Sequence, residues 1–174
     1  EAFVAFRRDG VIVIDGIFAH ERIAELLGHL HRKYPSYFGS GKPDDFFKVG
    51  NRRFTAPIPF APPFDCADLI THPVLTKLLS GLLADTFVFE AFGVISSLPG
   101  AADQHIRRDG GLLFAEAGVD RFIPPSAVTI VVPLVEMNEV NGTTAFWPGS
   151  HRAGTPEDSA PFSAPKIPVG SLAI

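Results

Sequence analysis

The chain is poor in sulfur and in polar aromatics, with one Cys, one Met, one Trp and two Tyr. A single thiol, Cys66, excludes an intramolecular disulfide and a cysteine-based zinc site. There is no basic surplus: 15 Lys and Arg stand against 19 Asp and Glu, for a formal net charge of −4. A nucleic-acid partner is therefore not expected. No uninterrupted apolar run reaches the ~18 residues a membrane span needs, and the best candidate, Leu78 to Leu98, carries Asp85 and Glu90. No charged start leads into an apolar run as a secretory leader would. The expectation is a cytoplasmic chain without a membrane span, in which the formal sequon Asn141-Gly142-Thr143 stays unglycosylated. A Gly-x-Ser-x-Gly elbow is absent. Gly39-Ser40-Gly41-Lys42 has the wrong spacing for a phosphate loop, with Pro43 where Ser or Thr is required.

Apolar side chains are plentiful: 46% of residues are hydrophobic, 16 of them Phe, and the mean hydropathy is +0.21. That excludes a disordered tail. A length of 174 residues makes one domain, 1–174, able to bury a core without staples. Sixteen Gly and sixteen Pro spread along the chain imply many turns and a β-rich fold.

Val11 to Ile14, between Asp9-Gly10 and Asp15-Gly16, predicts a buried strand. His20 to Tyr34 predicts a helix, because Ile23, Leu26, Leu27, Leu30 and Tyr34 form one stripe. Glu21 and Glu25 suit its positive end, Arg32 and Lys33 its negative end, and Pro35 stops it. His29 and His31 read as surface residues. Residues 35–65 read as a long loop whose phenylalanines, Phe46, Phe47, Phe54, Phe60 and Phe64, pack on the body. Pro73 to Leu83 predicts a second helix with Pro73 at its first position. Strand-like runs follow at Thr86–Ile95, Ser126–Val135 and Thr143–Trp147, each closed by Pro or Gly. Helices first and short strands later predict a β-sandwich or barrel with helices packed outside. Val169 to Ile174 reads as a turn entering a strand that then stops.

Three segments carry chemistry: Ser97 to Phe114, which includes Gln104-His105-Ile106-Arg107-Arg108-Asp109-Gly110-Gly111; Val132 to Arg152, which includes Asn141-Gly142-Thr143 and Trp147-Pro148-Gly149-Ser150-His151-Arg152; and Pro168 to Ile174. With the opening Phe6-Arg7-Arg8-Asp9-Gly10-Val11-Ile12-Val13-Ile14, they resemble, in order and over nearly the whole chain, the phytanoyl-CoA dioxygenase family of Fe(II)/2-oxoglutarate oxygenases. The Asn-Gly…Pro-Gly-Ser-His-Arg segment is the most specific part. The resemblance implies a mainly β fold with flanking helices, a double-stranded β-helix (jelly roll, cupin-like), incomplete at the C-terminus. It also implies Fe(II) on a two-His-one-carboxylate triad, with 2-oxoglutarate decarboxylated to succinate while a small-molecule substrate is hydroxylated. Family substrates include acyl-CoA thioesters, small amino-acid derivatives and natural products. The oligomeric state is left open.

The chain departs from the family pattern at that triad. Asp109 falls on the carboxylate ligand, but Arg107 stands where the family has its first His. A guanidinium has no lone pair to donate and carries a charge that repels a cation. The distal His, and the Arg that clasps 2-oxoglutarate, would lie beyond Ile174. His105 is a substitute metal ligand only if a bulge or tight loop brings it to Asp109, since an extended strand sets them about 13 Å apart; otherwise it is an ordinary residue at the site mouth. An Arg107–Asp109 ion pair is expected to fill the metal position. Gln104 and Thr144 are the candidate cofactor contacts, Trp147 a candidate pocket wall, and His151 a shaper of the loop that closes the site. Two further readings are a non-catalytic jelly-roll binding module of the same family, and a cupin-like metal enzyme using His105 with His151.

Overall fold

The computed structural model describes residues 1–38, 43–44, 46–65 and 67–174. Gly39 to Lys42, the phosphate-loop look-alike, and the lone Cys66 lie outside the described residues. An amphipathic helix, α1 (Ala2–Asp9), ends at Gly10, whose left-handed φ of 73° closes the helix with its N–H on the Phe6 carbonyl. Strand β1 (Val13–Ile14) follows, half-buried where a buried strand is expected.

Helix α2 (His20–Lys33) forms where the stripe predicts and buries Ile23, Leu26 and Leu30. Removing Ile23 and Leu30 from water contributes roughly 1.5–3 kcal/mol each. His29 is not a pure surface residue. It is half-buried and sets its ring edge-on to Phe64, 6.0 Å away, because the helical stripe widens over Phe64.

The described residues of 35–65 are not a continuous loop. They hold a short helix α3 (Pro35–Phe38) and the antiparallel strands β2 (Lys48–Gly50) and β3 (Arg53–Pro57). In β3, Phe54 and Ala56 point inward while Thr55 and Pro57 point out. Arg52 takes a positive φ of 54° to make the turn between the strands. This two-residue period is short and interrupted by charge and proline, so composition alone reads it as loop. Phe54 and Phe64 enter the core as expected, whereas Phe46 and Phe60 remain 82% and 59% exposed.

Two further helices follow, α4 (Ala67–Ile70) and α5 (Pro73–Leu82). In α5 Pro73 takes the first turn, and Leu75, Leu78, Leu79 and Leu82 are buried. His72 stands at the N-cap position of this helix without a side-chain cap bond and meets Phe18 edge-on at 5.5 Å. Helix α1 packs on α5 through Phe3, whose ring lies over Gly81; a Cβ there would come within 2.7 Å of it.

The expected strand at 86–95 is shifted and shortened to β4 (Gly93–Ser97), which pairs with β3 from Arg53↔Ser97 to Pro57↔Gly93. The ladder dies beyond this because Pro57 and Pro59 lack the N–H groups it needs, and Ile58 makes its last bond, to the Phe92 carbonyl at 3.1 Å. Phe89 and Phe92 instead cluster with Phe60 at centroid distances of 5.1–5.7 Å.

The last strand, β5 (Leu172–Ala173), is central. It pairs antiparallel with β1 on one side and bridges to Val131 on the other. Ile12 and Ile174 exchange two hydrogen bonds of 3.0 Å. Within the expected strands at 126–135 and 143–147, the backbone is bridged at Val131 and at Phe146, which meets Ser163. The described residues thus form antiparallel sheets covered by helices, with no closed barrel among them. No helix among them is long and apolar enough to cross a membrane.

Candidate functional site

After β4 the chain turns at Pro99-Gly100, where Gly100 takes a φ of 81°, and runs through 103–109 without regular secondary structure. Its side chains still alternate. Gln104, His105, Arg107 and Asp109 are exposed, while Ile106 and Arg108 turn inward and are half-buried. Arg107 and Asp109 share the solvent side, as extended spacing requires, yet no ion pair joins them among the described residues. His105 is drawn into no cluster of possible metal ligands among those residues.

Arg108, to which the sequence assigned no role, makes three hydrogen bonds to backbone carbonyls. Its Nε donates to the Gly110 carbonyl at 3.2 Å, and its two terminal nitrogens donate to the Ser150 and His151 carbonyls at 3.4 and 2.8 Å. One guanidinium therefore stitches the 107–110 segment to the Pro-Gly-Ser-His-Arg turn. The only sequence signal for this is position: in extended backbone the residue between two outward side chains points inward.

That turn is itself anchored on α1. Gly149, with a φ of 84°, donates its N–H to the Asp9 carbonyl at 2.7 Å. The His151 ring sits over Gly10 and lies 6.3 Å from the Phe6 ring. Arg152 donates from Nε to His151 Nε2 at 3.2 Å and from a terminal nitrogen to the Arg121 carbonyl at 2.8 Å. Burial, and then the charges of Arg152 and Arg108, hold the His151 imidazole below its ordinary pKa. A neutral ring whose Nε2 accepts from Arg152 is a packing element of the turn, and it belongs to no group of three or more possible metal ligands among the described residues.

Thr144 is exposed; its neighbour Thr143 carries the local anchor, donating to the Pro165 carbonyl at 2.6 Å. Trp147 gives its indole N–H to the Ala160 carbonyl at 3.1 Å and packs on Phe162. A cleft of about 310 Å³ lies at Asn138, Glu139, Val140, Ala164 and Lys166, and it is lined by none of the expected site residues. Beside it, Lys166 and then Asn138 hold the Glu136 carboxyl below its usual range.

The model of the phytanoyl-CoA dioxygenase family matches residues 6–167. The chain belongs to that family. The phytanoyl-CoA dioxygenase family has a cupin-type jelly-roll fold, with which antiparallel sheets under a helical layer agree. Proteins similar to this chain include the Fe(II)/2-oxoglutarate-dependent dioxygenase nvfF of Aspergillus novofumigatus, 27% identical over 85% of this chain and 52% of its own length. Two others are dioxygenase af480 of Aspergillus fumigatus, 28% identical over 59% of this chain and 31% of the relative, and dioxygenase trt7 of Aspergillus terreus, 30% identical over 49% and 31%. The chain thus spans about a third to a half of the length of these relatives.

The name of the nvfF relative implies Fe(II) and 2-oxoglutarate, and the donor set of this chain can be tested against iron. Asp109 offers one carboxylate. Arg107 offers no lone pair, and a guanidinium beside the carboxylate opposes a divalent cation. No group of three or more His, Cys, Asp or Glu able to hold a metal comes together among the described residues. These residues do not fit an iron site.

Proposed function

We propose that residues 1–174 belong to a jelly-roll oxygenase domain of the Fe(II)/2-oxoglutarate lineage, acting on a small or lipid-like molecule, with its metal site compromised at Arg107. Asp109 is the retained carboxylate ligand in this proposal, His105 is a residue of the site mouth, and Gln104 and Thr144 are the polar groups nearest to a cosubstrate. The single observation that carries the proposal is the guanidinium at position 107, in a family whose pattern needs an imidazole there. The exposure of Arg107 and Asp109 supports it, because neither side chain is diverted into the core.

A second proposal, a non-catalytic binding module of the same family, is favoured by the way Arg108 and Arg152 tie the site segments together through backbone carbonyls. Loading the purified chain with Fe(II) and measuring bound iron, together with succinate released from 2-oxoglutarate, tests the compromised site. Substoichiometric iron and succinate at the blank level are expected. Stoichiometric iron with succinate release well above blank would overturn it. A small-molecule ligand bound by the iron-free chain, with no turnover, would favour the binding module.

A further inference from the structure

Where the β3–β4 ladder ends, three phenylalanines are left together at the surface. Pro57 and Gly93 form the last rung, and residues 87–92 carry no regular secondary structure. The Phe60 ring stands edge-on to Phe89 at a centroid distance of 5.1 Å and tilted against Phe92 at 5.6 Å, while Phe89 meets Phe92 at 5.7 Å. Phe92 is half-buried and packs against the core, which roots the trio. Phe60 and Phe89 keep 59% and 46% of their surface in water, and the neighbouring Val88 keeps 82%. Large apolar side chains held exposed side by side mark a surface that meets a partner.

The charge of the segments that carry the trio has one sign. Residues 54–106 hold Asp65, Asp68, Asp85, Glu90 and Asp103 against the single Lys77, and so account for the whole net charge of −4. Asp68 is taken up by Arg22 of α2 at 2.8 Å. Asp85 and Glu90 are exposed and make no hydrogen bond or ion pair among the described residues. Glu90 lies between Phe89 and Phe92 in the chain. Cations stand over rings elsewhere in the protein, Arg7 over Phe3, Lys33 over Tyr34 and Arg121 over Phe122. Among the described residues none stands over Phe60, Phe89 or Phe92. Ring faces, which are electron-rich, therefore lie beside a carboxylate with no cation on either.

We propose that Phe60, Phe89 and Glu90 dock a basic, apolar segment of a partner protein, a stretch in which Arg or Lys alternates with leucine-like side chains. A cation of that segment lies over a phenylalanine face and pairs with Glu90, while its apolar neighbours cover Phe60 and Val88. Ring faces and carboxylate favour the same charge, whereas an acidic or neutral partner would bury Glu90 unpaired. The surface uses none of the residues assigned to metal or cosubstrate, so it goes beyond the family reading.

The 174-residue chain is titrated with a short peptide of alternating Arg and Leu, and separately with one of alternating Glu and Leu, and binding is followed by amide NMR shifts. Saturable binding of the Arg–Leu peptide is expected, with shifts concentrated at residues 58–60 and 88–92, and added NaCl weakens it. Phe89→Ser and Glu90→Gln each weaken it about threefold to fivefold. Phe46→Ser, an exposed ring outside the trio, leaves it unchanged. Glu90→Gln changes an exposed side chain without bonds, and an unaltered circular dichroism spectrum verifies that each variant is folded. No saturable binding, equal binding of the Glu–Leu peptide, shifts confined to other residues, or undiminished binding by both variants overturns the proposal. A dimer in sedimentation that Phe89→Ser dissolves assigns the surface to a second copy of the chain and overturns it too. No iron or 2-oxoglutarate enters the measurement, so its outcome is separable from that of the iron-loading experiment.

Discussion

The His151 ring occupies the space that a Cβ on Gly10 would need: such an atom would fall under 3.0 Å from three atoms of the histidine side chain. The C-terminal cap of the first helix and the Pro-Gly-Ser-His-Arg turn are thus a single packed contact between residues far apart in the chain. Gly149 adds a backbone bond to Asp9 beside it, and Arg108 extends the contact to the segment that carries Asp109.

Gly10→Ala should lower the thermal midpoint. The left-handed φ of 73° costs an L-residue about 1–2 kcal/mol, and the clash with His151 adds to that. In a double-mutant cycle, His151→Ala should recover the steric part of the loss and leave the backbone part. Thermal unfolding of the four variants measures both. Simple additivity would show that the two residues are not in contact.

Arg108→Met should loosen the turn selectively. It removes charge-assisted bonds to three carbonyls, for a loss of about 1–3 kcal/mol, and Arg108→Lys should restore little because it lacks the fork. The Ala153 amide, bonded to the Ser150 carbonyl at 2.9 Å, should then exchange its hydrogen faster. Exchange at Leu30 in α2 should change much less.

Stability should fall on mild acidification, and His151 should account for part of the fall. Its folded pKa is depressed from 6.5 by burial first and then by Arg152 and Arg108. The unfolded chain therefore binds the proton more readily. The contribution is fully present above about pH 6.5 and is lost as pH drops toward the lower folded value. Thermal midpoints measured between about pH 7.5 and about pH 5 should decline more steeply for the native chain than for His151→Gln.

Arg107→His should add a second ligand beside Asp109 without completing a site. Asp109 belongs to no group of three or more His, Cys, Asp or Glu among the described residues. Iron affinity should rise modestly, and succinate release should stay at the blank level. Robust turnover from this single change would mean that the remaining ligands are already in place.

Leu30→Ala should cost about 2–5 kcal/mol, because Leu30 is 1% exposed in the centre of the α2 stripe. Chemical denaturation measures it directly. A loss well under 1 kcal/mol would contradict the packing of α2 as a core helix.

Helices α2 and α5 were legible before any coordinates, because a helix writes its contacts at spacings of three and four residues and both stripes are uninterrupted. The family was legible too, through the ordered motifs around Asp109 and His151. The β2–β3 hairpin was not, since Phe54 and Ala56 carry its inward face within a proline- and charge-rich stretch. The strand expected at 86–95 was misplaced because its length depends on where Pro57 and Pro59 end the partner strand.

By itself, the sequence determined the family, the two main helices and the chemical obstacle at position 107, all of which rest on residue identity and local spacing. Only the tertiary structure decided that Arg108 reaches Ser150 across 42 positions, and that His151 is packed on Gly10 and joins no group of three or more possible metal ligands among the described residues. Those contacts join segments distant in the chain. They depend on how backbone turns aim side chains through space, which no local periodicity records.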